Sequence, residues 1–96
     1  MDINTICVTG KLTDIGVNDT TGLYPVIEAR LTVNNGMKNG DVMLSRFNVR
    51  SYGKKSMFIS TLMEGTSVTI EGHLIEDNYF GKSKTYINID KLKVIA

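Results

Sequence analysis

The stretch from Met43 to Tyr52 alternates along its whole length. Met43, Ser45, Phe47, Val49 and Ser51 fall on one parity; Leu44, Arg46, Asn48, Arg50 and Tyr52 fall on the other. A period of two belongs to a strand with one face in a core and one in water. Here the wet face carries two arginines, an amide and an aromatic ring, more than solubility requires. Gly53 ends the strand, and Lys54 to Met63 predicts a short helix with Met57, Phe58, Leu62 and Met63 on its inner side. Glu64-Gly65 breaks that helix. Another strand follows, with Val68, Ile70, Gly72 and Leu74 on one parity and Thr69, Glu71 and His73 on the other. Strand, short helix, strand is the middle of a small Greek-key barrel.

The flanking segments complete it. Ile6, Val8, Gly10 and Leu12 share a parity in a first strand, where Gly10 predicts a bulge or sharp bend. Thr13 to Pro25, rich in Asp, Gly, Asn and Thr, reads as a loop. In a second strand, Val26 to Asn34, Ile27, Ala29, Leu31 and Val33 point inward and Glu28, Arg30, Thr32 and Asn34 outward. Asn35-Gly36 and Asn39-Gly40 frame Met37-Lys38, which predicts a short hairpin into the third strand. Ile75 to Thr85 reads as a polar hairpin tip. The fifth strand begins near Tyr86 with Ile87 and Ile89 inward; its phase slips at Asp90-Lys91, a bulge that turns Leu92 and Val94 inward. The expectation is one all-β domain over residues 1–96, a five-stranded Greek-key barrel with one short helix between strands three and four.

Ninety-six residues hold one domain and bury about 60–65% of the unfolded surface. No apolar run approaches a membrane span and no signal-peptide pattern opens the chain, so no membrane partner is expected. A single cysteine, Cys7, fits a reducing cytoplasm. Catalysis finds no support. His73 is the only histidine, without a Ser or Cys partner in sequence, and reads as a solvated strand residue. One Cys and one His cannot furnish a zinc site. Phosphate loops fail too: Gly81-Lys82-Ser83 would need glycine at position 76, which is Glu76, and Gly53-Lys54 is followed by Lys55. No catalytic residue, metal or cofactor is expected.

A binding surface remains. The net charge of +1 does not announce a nucleic acid, so the case rests on where charges lie. Outer residues Arg30, Thr32 and Asn34 of strand two would sit beside Arg46, Asn48, Arg50 and Tyr52 of strand three, three arginines against one glutamate. The hairpin tip adds Tyr79, Phe80, Lys82 and Lys84, and Lys54 follows Tyr52 closely. Cations tracking phosphates, with rings on which bases stack, are the equipment of proteins that hold single strands without regard to sequence. Each group also has a plainer role. The arginines would keep a sheet face soluble, Phe80 would fold into the core, Tyr52 would cap the barrel. Phe47, Phe58 and the methionines are assigned to packing.

The run RFNVRSYGK, a short helix, a glycine and then SVTIEGHL, with NTICVTGKL and IEARLTVN before them, resembles the single-stranded DNA-binding protein family of bacteria and their phages. The likeness covers about residues 3 to 95. It implies an oligonucleotide-binding (OB) fold, assembly into dimers or tetramers, and wrapping of single-stranded DNA in replication, recombination or repair. By matching position, Tyr52 stands where the family has a stacking phenylalanine, Tyr79 where it often has a tryptophan, and Arg46 where another tryptophan is common. This chain has no tryptophan. Its Asn35 to Val42 hairpin looks shorter than usual, and nothing follows the barrel after Ala96 where cellular members carry an acidic tail. A phage, plasmid or primosomal relative and a chain with its tail removed both fit. The first strand, with small outer residues Thr5, Cys7 and Thr9, is the expected subunit contact. The alternative is a primosomal accessory protein with the same barrel, acting mainly through contacts with replication proteins.

Overall fold

The computed structural model describes residues 1–19 and 21–96; the side chains of Asp19 and Tyr79 lie outside the description. Five strands and one helix follow in the order β1 (Ile6–Asp19), β2 (Val26–Lys38), β3 (Asp41–Ser51), α1 (Lys55–Ile59), β4 (Thr66–Tyr79) and β5 (Lys82–Val94). The strands close into a barrel in the order β1-β2-β3-β5-β4. The all-β barrel with a single helix between β3 and β4 is the architecture expected from the alternation.

β1 serves two neighbours. Ile6 to Leu12 pairs antiparallel with β4, and Lys11 to Asp19 pairs antiparallel with β2. The stretch expected as a loop from Thr13 is therefore ladder as far as Asp19. Its Asp, Asn and Gly content marks register shifts between Thr13 and Gly16 and between Val17 and Asp19, not the end of the strand. Gly10 shows no register shift; its role is close approach. A Cβ there would lie 2.5 Å from the carbonyl oxygen of Thr32, so glycine lets β1 and β2 converge.

Both hairpins are longer than expected. Asn35-Gly36 is a bulge inside β2, after which the ladder resumes at Met37–Val42 and Lys38–Asp41. The turn itself is Asn39-Gly40, with φ of 52° and 84°. Ile75 to Tyr79 likewise pairs with Lys82 to Tyr86, and Phe80-Gly81 makes the turn with φ of 50° and 76°. Two successive left-handed residues match the right-handed twist of the flanking strands, so each ladder runs to its tip. The slip at Asp90 is present. Glu71 pairs with Lys91 and Gly72 with Ile89, leaving Asp90 as the extra residue.

The core is Leu12, Ile27, Ala29, Leu31, Val49, Ile59, Val68, Ile70, Ile87 and Ile89. Each large aliphatic side chain there contributes about 1.5–3 kcal/mol on burial. All but Ile59 come from the inward parities. The helix departs from expectation. Ser56 and Ile59 are its buried residues and Leu62 packs beside them, while Met57, Phe58 and Met63 are exposed. The Oγ atoms of Ser51 and Ser56 hydrogen bond at 2.8 Å inside the barrel. That contact turns the i, i+3 face of Ser56 and Ile59 inward, and a five-residue helix has no turn left to bring Met57 and Phe58 in.

Phe47 and Met43 are also exposed, against the assignment to packing. β3 and β5 pair in parallel at only Val49–Ile87 and Arg50–Asn88. The wall is open beyond that short seam, and Phe47 and Leu74 line the gap. Val94, expected inward, is partly exposed, whereas Leu92 packs on the core.

Candidate nucleic-acid interface

The register of β2 on β3 decides which outer residues meet. Glu28 faces Arg50, Arg30 faces Asn48, Thr32 faces Arg46, and Asn34 faces Leu44. Opposed residues of an antiparallel pair share a sheet face. Six of the expected residues, Arg30, Thr32, Asn34, Arg46, Asn48 and Arg50, therefore form one stripe.

At the Arg50 end the stripe is roofed. The β4–β5 arm brings Asp77 and Lys84 over it, and the far end of β1 brings Asp14 and Asn18 from the other side. Arg50 is buried between them, at 9% exposure. Its Nε and Nη2 donate to Glu28 Oε1 at 3.1 and 2.8 Å. Its Nη1 donates to Asp77 Oδ2 and to the Tyr52 hydroxyl, both at 3.2 Å. The guanidinium lies over the ring of Tyr86, 3.9 Å from its centroid, and Lys84 Nζ lies 5.3 Å from the same centroid. Burial works to lower the Arg50 pKa, but the hydrogen bonds to Tyr52, Glu28 and Asp77 outweigh it and hold the group above its ordinary value.

Arg50 thus differs from the free surface cation of the sequence reading. Two carboxylates occupy it, one on β2 and one on β4. The charge count changes with it: Arg30, Arg46, Arg50 and Lys84 stand against Glu28, Asp77 and Asp14, closer to balance than three arginines against one glutamate. Arg30 and Arg46 are exposed. Arg30 and Asn48 line the hollow under Lys84, and Arg46 and Asn48 line the open seam beside Phe47. Thr32 and Asn34 lie at the other end, on a groove of about 500 Å³ with Lys11, Leu44 and Ile95. Asn34 Oδ1 accepts from its own bulge, at the Gly36 amide.

The rings divide. Tyr52 is 42% exposed and tied to the stripe through its hydroxyl. Phe80 is 90% exposed at the arm's turn, so it is not core. The side chain of Tyr79 lies outside the described residues. Lys54, Lys82 and Lys84 are exposed; Lys82 pairs with Tyr79 near the tip, away from the stripe. Sequence reasoning missed Tyr86 and Asp77. Tyr86 had the same signal as Tyr52, an aromatic on the outward parity. Asp77 had none, because its contact depends on how the arm folds over.

Other chemistry stays thin. His73 Nδ1 lies 2.9 Å from Asp90 Oδ2, on the bulge. Among the described residues, no group of three His, Cys, Asp or Glu could hold a metal, and no helix is long and apolar enough to cross a membrane.

A closed five-stranded Greek-key barrel with a helix between β3 and β4 defines an OB-fold, whose β2–β3 face and flanking loops are the part such barrels use for oligonucleotides and oligosaccharides. No family model matches the chain, and no curated protein matches it by sequence. Solved structures match over nearly its whole length. The small single-stranded DNA-binding protein from Streptomyces coelicolor has a TM-score of 0.78 at 19% identity, covering 99% of this chain and 94% of that one. The protein priB from Ralstonia solanacearum has a TM-score of 0.78 at 14% identity, over 98% of this chain and 100% of that one. The single-stranded DNA binding protein from Thermus aquaticus has a TM-score of 0.78 at 20% identity, over 98% of this chain but 41% of that longer one. The chain shares its OB-fold with bacterial single-stranded DNA-binding proteins and with priB, as the resemblance in its residues implied.

Proposed function

We propose that this protein binds single-stranded DNA without regard to sequence, on the β2–β3 face, and covers exposed strands in replication, recombination or repair. The observation that carries the reading is the single stripe running Arg50, Arg30–Asn48, Thr32–Arg46 and Asn34, with Tyr52 at one end and Lys84 overhead. Exposed Arg30, Arg46 and Lys84 contact phosphates, and Tyr52 offers a face to a base. Stacking is worth about 1–3 kcal/mol per base, so one or two rings outweigh a net charge of +1. The reading involves no bond-making step. Its setting is the cytoplasm of a bacterium or of a phage-infected host.

Association into dimers or tetramers belongs to β1 in this reading. Ile6 to Gly10 pairs with β4 on one edge and not with β2 on the other, and its outer residues Cys7 and Thr9, with Thr5 just before the strand, are small. An unpaired edge with small side chains is a template for a second strand.

Titrating oligo-dT while following tyrosine fluorescence at two salt concentrations tests the reading. Quenching that weakens as salt rises is expected; an unchanged signal at low salt would remove the proposal.

A barrel acting mainly through protein contacts is the second reading. The observation in its favour is the apolar exposure of Met57, Phe58 and Met63 around the helix, on residues the stripe does not use. Co-purification of a replication protein, with weak DNA binding, would favour it.

A further inference from the structure

We propose that Asp77 and the phosphates of a bound single strand compete for one edge of the Arg50 guanidinium, so that binding exchanges an internal salt bridge for a phosphate contact at the root of the β4–β5 arm. The inference rests on the single-strand reading above and adds a control built into the same site.

The two edges of Arg50 are held unequally. Glu28 takes the Nε–Nη2 edge with two hydrogen bonds, the shorter 2.8 Å, and its side chain is 29% exposed. Asp77 takes a single bond of 3.2 Å from Nη1, an atom that also donates to Tyr52, and its side chain is 47% exposed. A half-exposed carboxylate on one longer bond is the weaker partner, since solvent competes for it. Asp77 also comes from the arm, which lies beyond the two-position ladder that joins β5 to β3. The Glu28 bridge joins β2 to β3 inside a ladder that runs from Ile27–Ser51 to Asn34–Leu44 without a register shift. Asp77 is therefore the partner that can leave.

The space beside it suits an anion. Asp77, Lys84, Tyr86 and Asn18 border a hollow of about 470 Å³ around Arg50 and Glu28. With both carboxylates in place, Arg50 and Lys84 are balanced by Glu28 and Asp77, and the hollow attracts no phosphate. Once Asp77 swings out with the arm, Nη1 and Lys84 present two cationic donors and a single carboxylate remains. A phosphate accepts such charge-assisted bonds well. The fixed stacking of Arg50 on Tyr86 keeps that donor edge in place meanwhile.

The test measures oligo-dT affinity against salt for the wild type, Asp77→Asn and Glu76→Gln, each also in an Arg50→Gln background. Glu76 neighbours Asp77 in sequence but accepts from Ser83 and makes no bond to Arg50, so it controls for loss of charge alone. Asp77→Asn should tighten oligo-dT binding several-fold at low salt, because the Arg50–phosphate contact no longer has to displace a carboxylate, while the slope of log K against log salt changes by less than the ~0.7 of a whole added phosphate. Glu76→Gln should give no comparable gain in affinity, and the Asp77→Asn gain should vanish in Arg50→Gln. A wild-type affinity in Asp77→Asn, or an equal gain from Glu76→Gln, overturns the competition while leaving single-strand binding intact. Failure of the wild type to bind at all removes the reading beneath it. Should Asp77→Asn not fold, the wild type carries the test alone. Its Asp77 carboxylate carbon resonance should move on adding oligo-dT and return at high salt, and a stationary resonance overturns the inference.

Discussion

Arg50 stacks on Tyr86 at 3.9 Å from the ring centroid while Glu28 holds one edge of its guanidinium and Asp77 the other. Four strands meet in that contact: β3 supplies the arginine, β5 the ring, and β2 and β4 the carboxylates. The raised pKa fixes the sign of its pH behaviour. A cation whose folded pKa exceeds its unfolded value contributes stability fully below the unfolded value and loses it only as pH rises through the folded one. The loss falls at strongly alkaline pH, so Arg50 stays charged throughout the neutral range.

Replacing Arg50 with Ala should cost stability near the lower end of the roughly 3–5 kcal/mol that follows breaking a buried ion pair, because Asp77 is half exposed and can be rehydrated. Urea denaturation measures it. A loss under about 1 kcal/mol would show that the cluster behaves like a surface pair.

Ser51 and Ser56 make a self-contained test of the helix contact. Both are fully buried and their hydroxyls hydrogen bond to each other. Ser56→Ala alone should destabilise by about 1–3 kcal/mol, because Ser51 is left without its partner in the core. The double change to alanine should recover most of that loss. Thermal or chemical melts of the three variants distinguish this from simple loss of volume, in which the double variant would be the worst.

Gly72 and Gly16 should respond in opposite ways to alanine. A Cβ at Gly72 would run into the carbonyl oxygen of Asn88 across the β5 bulge, and backbone cannot step aside as a side chain can. Gly72→Ala should cost about 1–3 kcal/mol through overpacking. At Gly16 the nearest atom would be 3.9 Å away and no positive φ is required, so alanine should be neutral or mildly stabilising.

Tyr52 carries two roles that substitution can separate. Tyr52→Phe removes the hydroxyl that accepts from Arg50 but keeps the ring, and should retain oligonucleotide affinity. Tyr52→Ala removes the stacking face and should weaken binding by about 1–3 kcal/mol. Equal losses in both variants would assign the residue to Arg50 instead of to a base.

The inward half of this barrel was legible because parity alone selects it. Leu12, Ile27, Leu31, Val49, Val68, Ile70, Ile87 and Ile89 are buried where alternation put them, and the slip at Asp90 is a bulge. Strand ends were harder to see. From Thr13 to Asn18 only Ile15 packs on the core, and Ile75 to Asn78 add none to it, yet these backbones still have partners to bond, so the ladders continue past the hydrophobic signal. The helix face was misjudged because one turn is too short to show amphipathicity, and its inner side depends on a serine pair five residues apart. On the outer face, the order of Arg30, Thr32, Arg46 and Asn48 followed directly from strand register. The burial of Arg50 did not, since Glu28 and Asp77 reach it from 22 and 27 residues away.

The most direct measurement is an amide chemical-shift map of the isotope-labelled protein as oligo-dT is added at low salt. The shifted amides should cluster in Arg30 to Asn34, Arg46 to Tyr52 and the arm around Lys84, and should return to their free positions at high salt. Shifts confined to Cys7, Thr69 and Lys93 on the opposite wall, or no shifts at all, would contradict a single strand held across β2 and β3.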